Sequence, residues 1–238
     1  WSSDVCSSDL LSVLNFRDMA GMPTQSGGAT KPGVLFRSAN PYSWASPECF
    51  QKMCALGITL DIDLRMEGEV RRYEDAFGRV VGEYRHLPLF TDAMRATLEP
   101  PGSTLRERYA NFLVACREQV VACARLVTEN SGGTLIHCKV GKDRTGITIG
   151  ILLDAVGVTR EALEYDYAIS APLLRPYYDA VRSETDLVQS GASMGSTLRM
   201  TLAQLDECYG GSINYLRGGG LSERELERLA DKLTENAR

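Results

Sequence analysis

Cys138 and Arg144 stand on either side of a five-residue stretch in TLIHCKVGKDRTG, Thr134 to Gly146. A thiolate is a strong nucleophile, and a guanidinium offers a planar fork of N–H donors that matches two phosphate oxygens, so this pair can carry phosphoryl transfer. The residues around them supply a setting. A short apolar run, Leu135 and Ile136, delivers His137 and Cys138, while Arg144, Thr145 and Gly146 open an apolar helical pattern that continues to Val156. The order is strand, loop, helix. A loop entering a helix N-terminus aims free N–H groups and the positive end of the helix dipole at one spot, which suits an oxyanion and a thiolate nucleophile. Lys139, Val140, Gly141 and Lys142 then line a phosphate-binding loop, and Thr145 can hydrogen-bond the departing thiolate. His137 orients the loop and supports Cys138 as a thiolate.

Spacing alone decides little. With 7 Cys and 21 Arg in 238 residues, Cys and Arg at this separation arise by chance about 0.6 times. The neighbours decide it: His before the Cys, Gly141 in the loop and Thr-Gly after the Arg lower the chance expectation by about three orders of magnitude or more. The string HCKVGKDRTG resembles the active-site loop of the cysteine-dependent protein tyrosine phosphatase superfamily, and its GKDRTG half resembles the bacterial tyrosine phosphatase family, which has mycobacterial members. NFRDMAG from Asn15, the later Phe36-Arg37-Ser38, Asp63-Leu64-Arg65 and the tail YGGSINYLRGGGLSEREL resemble the same family, so the likeness runs from about Asn15 to Leu229. Ala20 stands where the family opening has its first Gly. The resemblance implies an α/β fold with a central, mostly parallel sheet flanked by helices, a cysteinyl-phosphate intermediate and no cofactor.

Composition sets the bounds. A chain of 238 residues, 44% hydrophobic and 24% charged, can bury one large core, and the expected organisation is a single phosphatase domain over 11–238. Residues 1–10, WSSDVCSSDL, read as a non-native leader because of their Ser/Asp-rich near-repeat. A net charge of −5 offers no broad basic field for nucleic acid or an anionic membrane. The apolar runs are too short to span a bilayer. Seven cysteines without framework spacing read as reduced thiols of a cytoplasm-like compartment, and no secretory signal is visible, although a non-native leader leaves an export signal open. Two His and Cys spacings that match no zinc pattern give no metal site.

The elements that must position the loop follow from periodicity. Ser46, Pro47 and Glu48 start a short helix that Gly57 stops. Ile58, Leu60, Ile62 and Leu64 alternate with polar residues as a strand, and its end, Asp63-Leu64-Arg65, points to the ligand crevice of an open sheet. Glu67 to Phe77 reads as a charged helix, and Gly82 to Leu89 as a strand in which His86 is a packed or hydrogen-bonded residue. Phe90 to Ser103 reads as a loop, Leu105 to Glu129 as one long amphipathic helix, and Ile147 to Val156 as a helix buried on nearly all sides. Pro172 and Pro176 interrupt the next segment, Ser183 to Ser196 is a polar surface loop, and Ser222 with Glu225 caps the last helix. Arg17, Asp18 and Arg37 read as a scaffold ion-pair set.

The chemistry needs a proton donor. Asp143 is the first choice because it must lie within a few residues of the phosphate, and similar bacterial phosphatases imply the same position; pinning of Arg144 or Lys142 is its other reading. Asp92 comes second, since loops at this place in the superfamily carry a mobile acid. Asp63 either transfers a proton or holds an arginine. Lys139 and Lys142 exceed what one phosphotyrosine requires, which fits multiply phosphorylated substrates as well as thiolate stabilisation alone. The expected activity is phosphotyrosine hydrolysis with dual specificity open. Phosphoinositide hydrolysis and phosphoprotein binding without turnover are the alternatives.

Overall fold

The computed structural model describes residues 13–41, 46–180 and 195–235. The expected leader at 1–10 and nearly all of the expected surface loop at 183–196 lie outside the described residues.

Strand β6 (Gly133–Cys138) is buried at every position and occupies the middle of a five-stranded sheet ordered β1-β3-β6-β4-β5. Its neighbours β3 (Leu35–Ala39) and β4 (Ile58–Asp63) run parallel to it, β5 (Glu83–His86) runs parallel to β4, and β1 (Arg17–Asp18) pairs antiparallel with β3. A second, two-stranded sheet joins β2 (Ala29–Thr30) to β7 (Thr234–Glu235). Parallel strands buried on both faces read as near-continuous apolar runs, as Leu135 and Ile136 do. The register sets Asp63 and Ser38 beside His137 and Ala39 beside Cys138, so three strand ends converge where β6 enters its loop.

Period two sorts the strands onto two cores. Leu60, Ile62, Ile136 and Cys138 face the larger one, built with α4 (Leu105–Ala115), α5 (Arg117–Glu129), α6 (Asp143–Ala155), α7 (Arg160–Ala180), α8 (Gly195–Tyr209), α9 (Ser212–Gly218) and α10 (Glu223–Leu233). Leu135 faces the smaller one, closed by Phe50 and Met53 of α1 (Pro47–Ala55) and by Phe77, and a register shift between Ile58 and Leu60 breaks the alternation and sends Ile58 there too. Helix α6 is buried from Thr145 to Leu153. Each buried Ile or Leu there contributes about 1.5–3 kcal/mol, which fixes the helix whose first turn carries Asp143 and Arg144. Local signals match: Ser46 Oγ accepts the Cys49 N–H, Gly57 has φ +86°, and Ser222 and Glu225 bond reciprocally.

Four expectations change. Phe90–Ser103 contains a helix, α3 (Asp92–Leu98), started by Thr91, whose Oγ1 accepts the Met94 N–H. The long helix is two, broken at Cys116 (φ −102°, ψ 6°); a one-residue bend preserves the phase of the apolar stripe, so periodicity runs through it unmarked. Pro172 and Pro176 sit inside α7 rather than ending it. The charged helix after β4 is short, α2 (Glu67–Arg72).

Candidate active site

The loop from Lys139 to Lys142 is held from behind by its carbonyls. Asn40 N–H donates to Lys139 O at 3.3 Å, Asn15 Nδ2 to Val140 O at 3.2 Å and Gly141 O at 2.9 Å, and Arg37 Nη2 to Gly141 O at 2.6 Å and Lys142 O at 3.3 Å. A trans peptide points its carbonyl and the next N–H in opposite directions, and the chain has no cis bond among the described residues. With the carbonyls of 139–142 turned to those supports, the N–H groups of Val140, Gly141, Lys142 and Asp143 turn to the opposite side of the loop. A row of main-chain N–H groups on one side of a loop forms a cradle that can receive an oxyanion. Gly141 makes it possible: its φ is +67°, and a Cβ there would lie 2.0 Å from Ser38 O.

The supports of the cradle are themselves fixed. Asp166 of α7 accepts Arg17 Nε at 2.6 Å and Arg37 Nη1 at 2.5 Å, with Arg37 only 1% exposed. Burial pushes the Asp166 carboxyl up, but the two arginine charges and their hydrogen bonds outweigh it and hold the carboxyl below its ordinary range. Arg17 and Arg37 are thus scaffold, as expected, whereas Asp18 is not their partner: it accepts the Gly33 N–H at 2.8 Å.

Cys138, the last residue of β6, leads into this loop and is 2% exposed. Two other core thiols, Cys116 and Cys123, are pushed up to about 12 by burial and are poor nucleophiles for that reason. Thr145, in the first turn of α6, is fully buried, and its Oγ1 has no hydrogen-bond partner among the described residues. Arg144 is held end-on by Glu69 of α2, Nη1 to Oε2 at 2.5 Å and Nη2 to Oε1 at 2.9 Å, and its guanidinium lies 5.6 Å from the Phe90 ring centroid. An end-on clamp uses one hydrogen of each terminal nitrogen and leaves the Nε edge, the side that grips an oxyanion through two parallel bonds. Glu69 also accepts the Met66 N–H at 3.0 Å, so one carboxylate starts α2 and sets the arginine. In sequence Glu69 reads only as part of a charged helix; its place three residues after the N-cap Met66 is the signal that sets it apart.

Asp143 is the first residue of α6. Its Oδ1 accepts Tyr109 Oη and Tyr167 Oη, each at 2.8 Å, and lies 4.0 Å from Lys142 Nζ; its side chain is 47% exposed. Asp143 therefore does not pin Arg144, which belongs to Glu69. Asp92, exposed at the start of α3, accepts the Gly68 N–H at 3.0 Å and so ties α3 to α2. Lys139 is exposed and Lys142 is buried.

Beneath the loop lies a buried ionic cluster. His137 Nε2 is 2.8 Å from Asp75 Oδ2 and 3.3 Å from Asp61 Oδ1, and its Nδ1 is 3.9 Å from Asp63 Oδ1. Burial lowers the His137 pKa, yet the charges of Asp63, Asp61 and Asp75 more than offset it and raise it well above the ordinary value. Asp63 binds Arg65 through three side-chain contacts of 2.6–3.0 Å and accepts Tyr84 Oη at 2.9 Å. Burial pushes Asp63 up, but the His137 charge and the Arg65 hydrogen bonds and charge hold it far below the carboxylate range, so it holds an arginine and has no proton to give. Asp61, fully buried beside His137, is pushed up to about 7, chiefly by burial, which outweighs the lowering by the His137 charge. Ligand atoms of Asp61, Asp75 and His137 lie within 4.8 Å of one another, close enough for a metal, though the protonated His137 and Arg65 already fill the cationic role there. His86 Nε2 meets Arg65 O at 2.8 Å, a structural bond.

The chain matches the model of the tyrosine phosphatase family over residues 8–235. It is 33% identical over 200 residues to a tyrosine-protein phosphatase of Nostoc commune, covering 76% of this chain and 68% of that protein. It is 30% identical over 274 aligned positions to the triple specificity protein phosphatase PtpB of Mycobacterium tuberculosis, covering 93% of this chain and 96% of that protein. A solved core catalytic domain of a PP-IP phosphatase from S. cerevisiae is 16% identical, with a TM-score of 0.39 over 71% of this chain and 92% of that one, an overlap too partial to bear on chemistry.

Proposed function

We propose that this chain, which belongs to the tyrosine phosphatase family, runs its hydrolysis through two displacements centred on Cys138. In the first, the Sγ thiolate attacks phosphorus as the P–O ester bond breaks. The inward N–H groups of 140–143 and the Nε edge of Arg144 bind the three equatorial oxygens, and Asp143 gives its proton to the leaving ester oxygen. In the second, water attacks the cysteinyl phosphate, Asp143 takes the proton, the S–P bond breaks, and Thr145 Oγ1 donates a hydrogen bond to the departing thiolate. Both tyrosine bonds of Asp143 go to Oδ1, which leaves Oδ2 to carry the transferable proton.

The observation that carries this reading is the cradle, four outward carbonyls and one end-on arginine around a single thiol. The depth of Cys138 supports an aryl ester, since a phenyl ring extends the phosphate further from a protein chain than a serine methylene does. Turnover of an aryl phosphate that disappears in Cys138→Ser, with inorganic phosphate still bound competitively, is the expected result. Turnover that survives the substitution refutes the nucleophile assignment.

Dual or lipid specificity is the second reading, favoured by the exposed Lys139 above the cradle and by the triple specificity of the mycobacterial relative. A panel of phosphotyrosine, phosphoserine and phosphothreonine peptides and short-chain phosphoinositides, compared between the native chain and Lys139→Ala, separates these. No helix among the described residues is long and apolar enough to cross a membrane. The six cysteines of the described residues are all free thiols, which supports a reducing, cytoplasm-like setting.

A further inference from the structure

Asp143 is gripped by two tyrosines that the displacement on Cys138 does not itself require. Tyr109 comes from α4 and Tyr167 from α7, and their hydroxyls lie 3.2 Å from each other and 2.8 Å from the same oxygen, Asp143 Oδ1. Both rings are buried, at 8% and 0% exposure. Burial, the largest cause, raises both phenols well above their ordinary value, so they remain hydrogen-bond donors and are not themselves proton sources. A first-turn Asp ordinarily serves its own helix N-terminus. Here two hydroxyls from distant elements take one oxygen and fix the plane of the carboxyl.

Gly146 explains how Tyr167 arrives. A Cβ at 146 would lie 2.8 Å from Cδ2 and Cε2 of the Tyr167 ring. The ring thus occupies the space a side chain would need, one turn from Asp143, and the glycine that ends HCKVGKDRTG is what lets it lie there.

We propose that Tyr109 and Tyr167 are positioning residues for proton transfer: their paired bonds to Oδ1 orient Oδ2 of Asp143 toward the ester oxygen. The proposal rests on Asp143 being the acid. In the first displacement the Oδ2–H bond breaks and an O–H bond forms on the leaving group, while the tyrosine hydrogens stay in place. Proton donation matters more as the leaving group becomes more basic. A carboxyl free to rotate therefore penalises a poor leaving group selectively, whereas general damage to the loop penalises all esters alike.

The experiment measures kcat/KM for p-nitrophenyl phosphate and phenyl phosphate in the native chain, Asp143→Asn, Tyr109→Phe, Tyr167→Phe and the double Tyr→Phe variant. Asp143→Asn should lose about 100-fold on phenyl phosphate and about tenfold or less on the nitrophenyl ester. The double variant should show the same pattern at reduced size, about tenfold against less than about threefold. Equal losses on the two esters, or none, in the tyrosine variants while Asp143→Asn remains selective overturn the tyrosine proposal and leave the acid assignment standing. An Asp143→Asn variant without selectivity overturns both. If thermal melting shows the double variant unfolded, the ratio of the two esters in Tyr109→Phe decides the matter by the same criterion.

Discussion

Glu69 holds Arg144 end-on, with Oε2 2.5 Å from Nη1 and Oε1 2.9 Å from Nη2. The carboxylate comes from the first turn of α2 and the guanidinium from the first turn of α6, so a contact across 75 residues sets the angle of the arginine. Neither group is free to drift: Glu69 also caps α2, and Arg144 lies against the Phe90 ring.

Removing that carboxylate should therefore act on catalysis more than on folding. Glu69→Ala is expected to lower kcat/KM on aryl phosphates by about 10–100-fold through a misaimed arginine. Glu69→Gln, which keeps one acceptor, should retain most of it. Steady-state kinetics with a melting control checks this, and equal loss in both variants would point to charge rather than orientation.

Asp166 should be the strongest single stability contact near the site. Asp166→Asn takes the carboxylate charge away from the buried Arg37, which costs about 3–5 kcal/mol. Its folded pKa is depressed, so its contribution is present above the unfolded value of about 3.9 and is lost as pH falls through the folded value. Urea unfolding should show a wide gap between variant and native chain at pH 7 that narrows below about pH 4.

Asp61 should have the opposite sign. Its folded pKa of about 7 exceeds the unfolded value, so the folded state keeps a proton that the unfolded chain releases, and stability falls as pH rises from about 4 to 7. His137, raised above its ordinary value, adds a loss of the same sign as pH rises through its folded pKa. Asp61→Asn should be more stable than the native chain near pH 7, by up to a few kcal/mol, with the advantage shrinking toward pH 4. Melting temperature against pH measures it, and parallel curves for the two proteins would refute the assignment.

What could be read from the sequence was local. Cys138, Arg144 and the loop between them announce themselves because strand, loop and helix lie within thirteen residues, Thr134 to Gly146. Asp143 was placed by proximity, and Ser46, Gly57 and Ser222 by short-range chemistry. What escaped was long-range. Glu69, Asn15, Tyr109 and Tyr167 reach the loop and its helix start across separations of 24 to 126 residues, Asp166 acts through Arg37 across 129, and nothing in their own neighbourhoods distinguishes a tyrosine that grips Asp143 from one that fills a core. The bend at Cys116 was invisible for a related reason: period 3.6 reports a face, not a direction. Asp61 read as the polar half of an alternating strand, and only the second face of the sheet, closed by α1, buries it.

Gly141 offers a test of the cradle apart from any charged group. A Cβ there would overlap Ser38 O at a backbone angle that side chains avoid, so Gly141→Ala must shift the loop. Inorganic phosphate inhibition should weaken by about tenfold or more, while the far-ultraviolet circular dichroism spectrum stays native. Unchanged inhibition would show that the N–H groups of 140–143 do not bind the oxyanion.

The covalent step is the heart of the account, and trapping it is the most direct measurement. Acid quench of the native chain during turnover of an aryl phosphate, followed by peptide mass spectrometry, should find one phosphoryl group on Cys138 and none in Cys138→Ser. Asp143→Asn, slowed in hydrolysing the thioester-like S–P bond, should accumulate more of it with a good leaving group. Turnover with no phosphoryl on Cys138, or with the group on another residue, would contradict the mechanism.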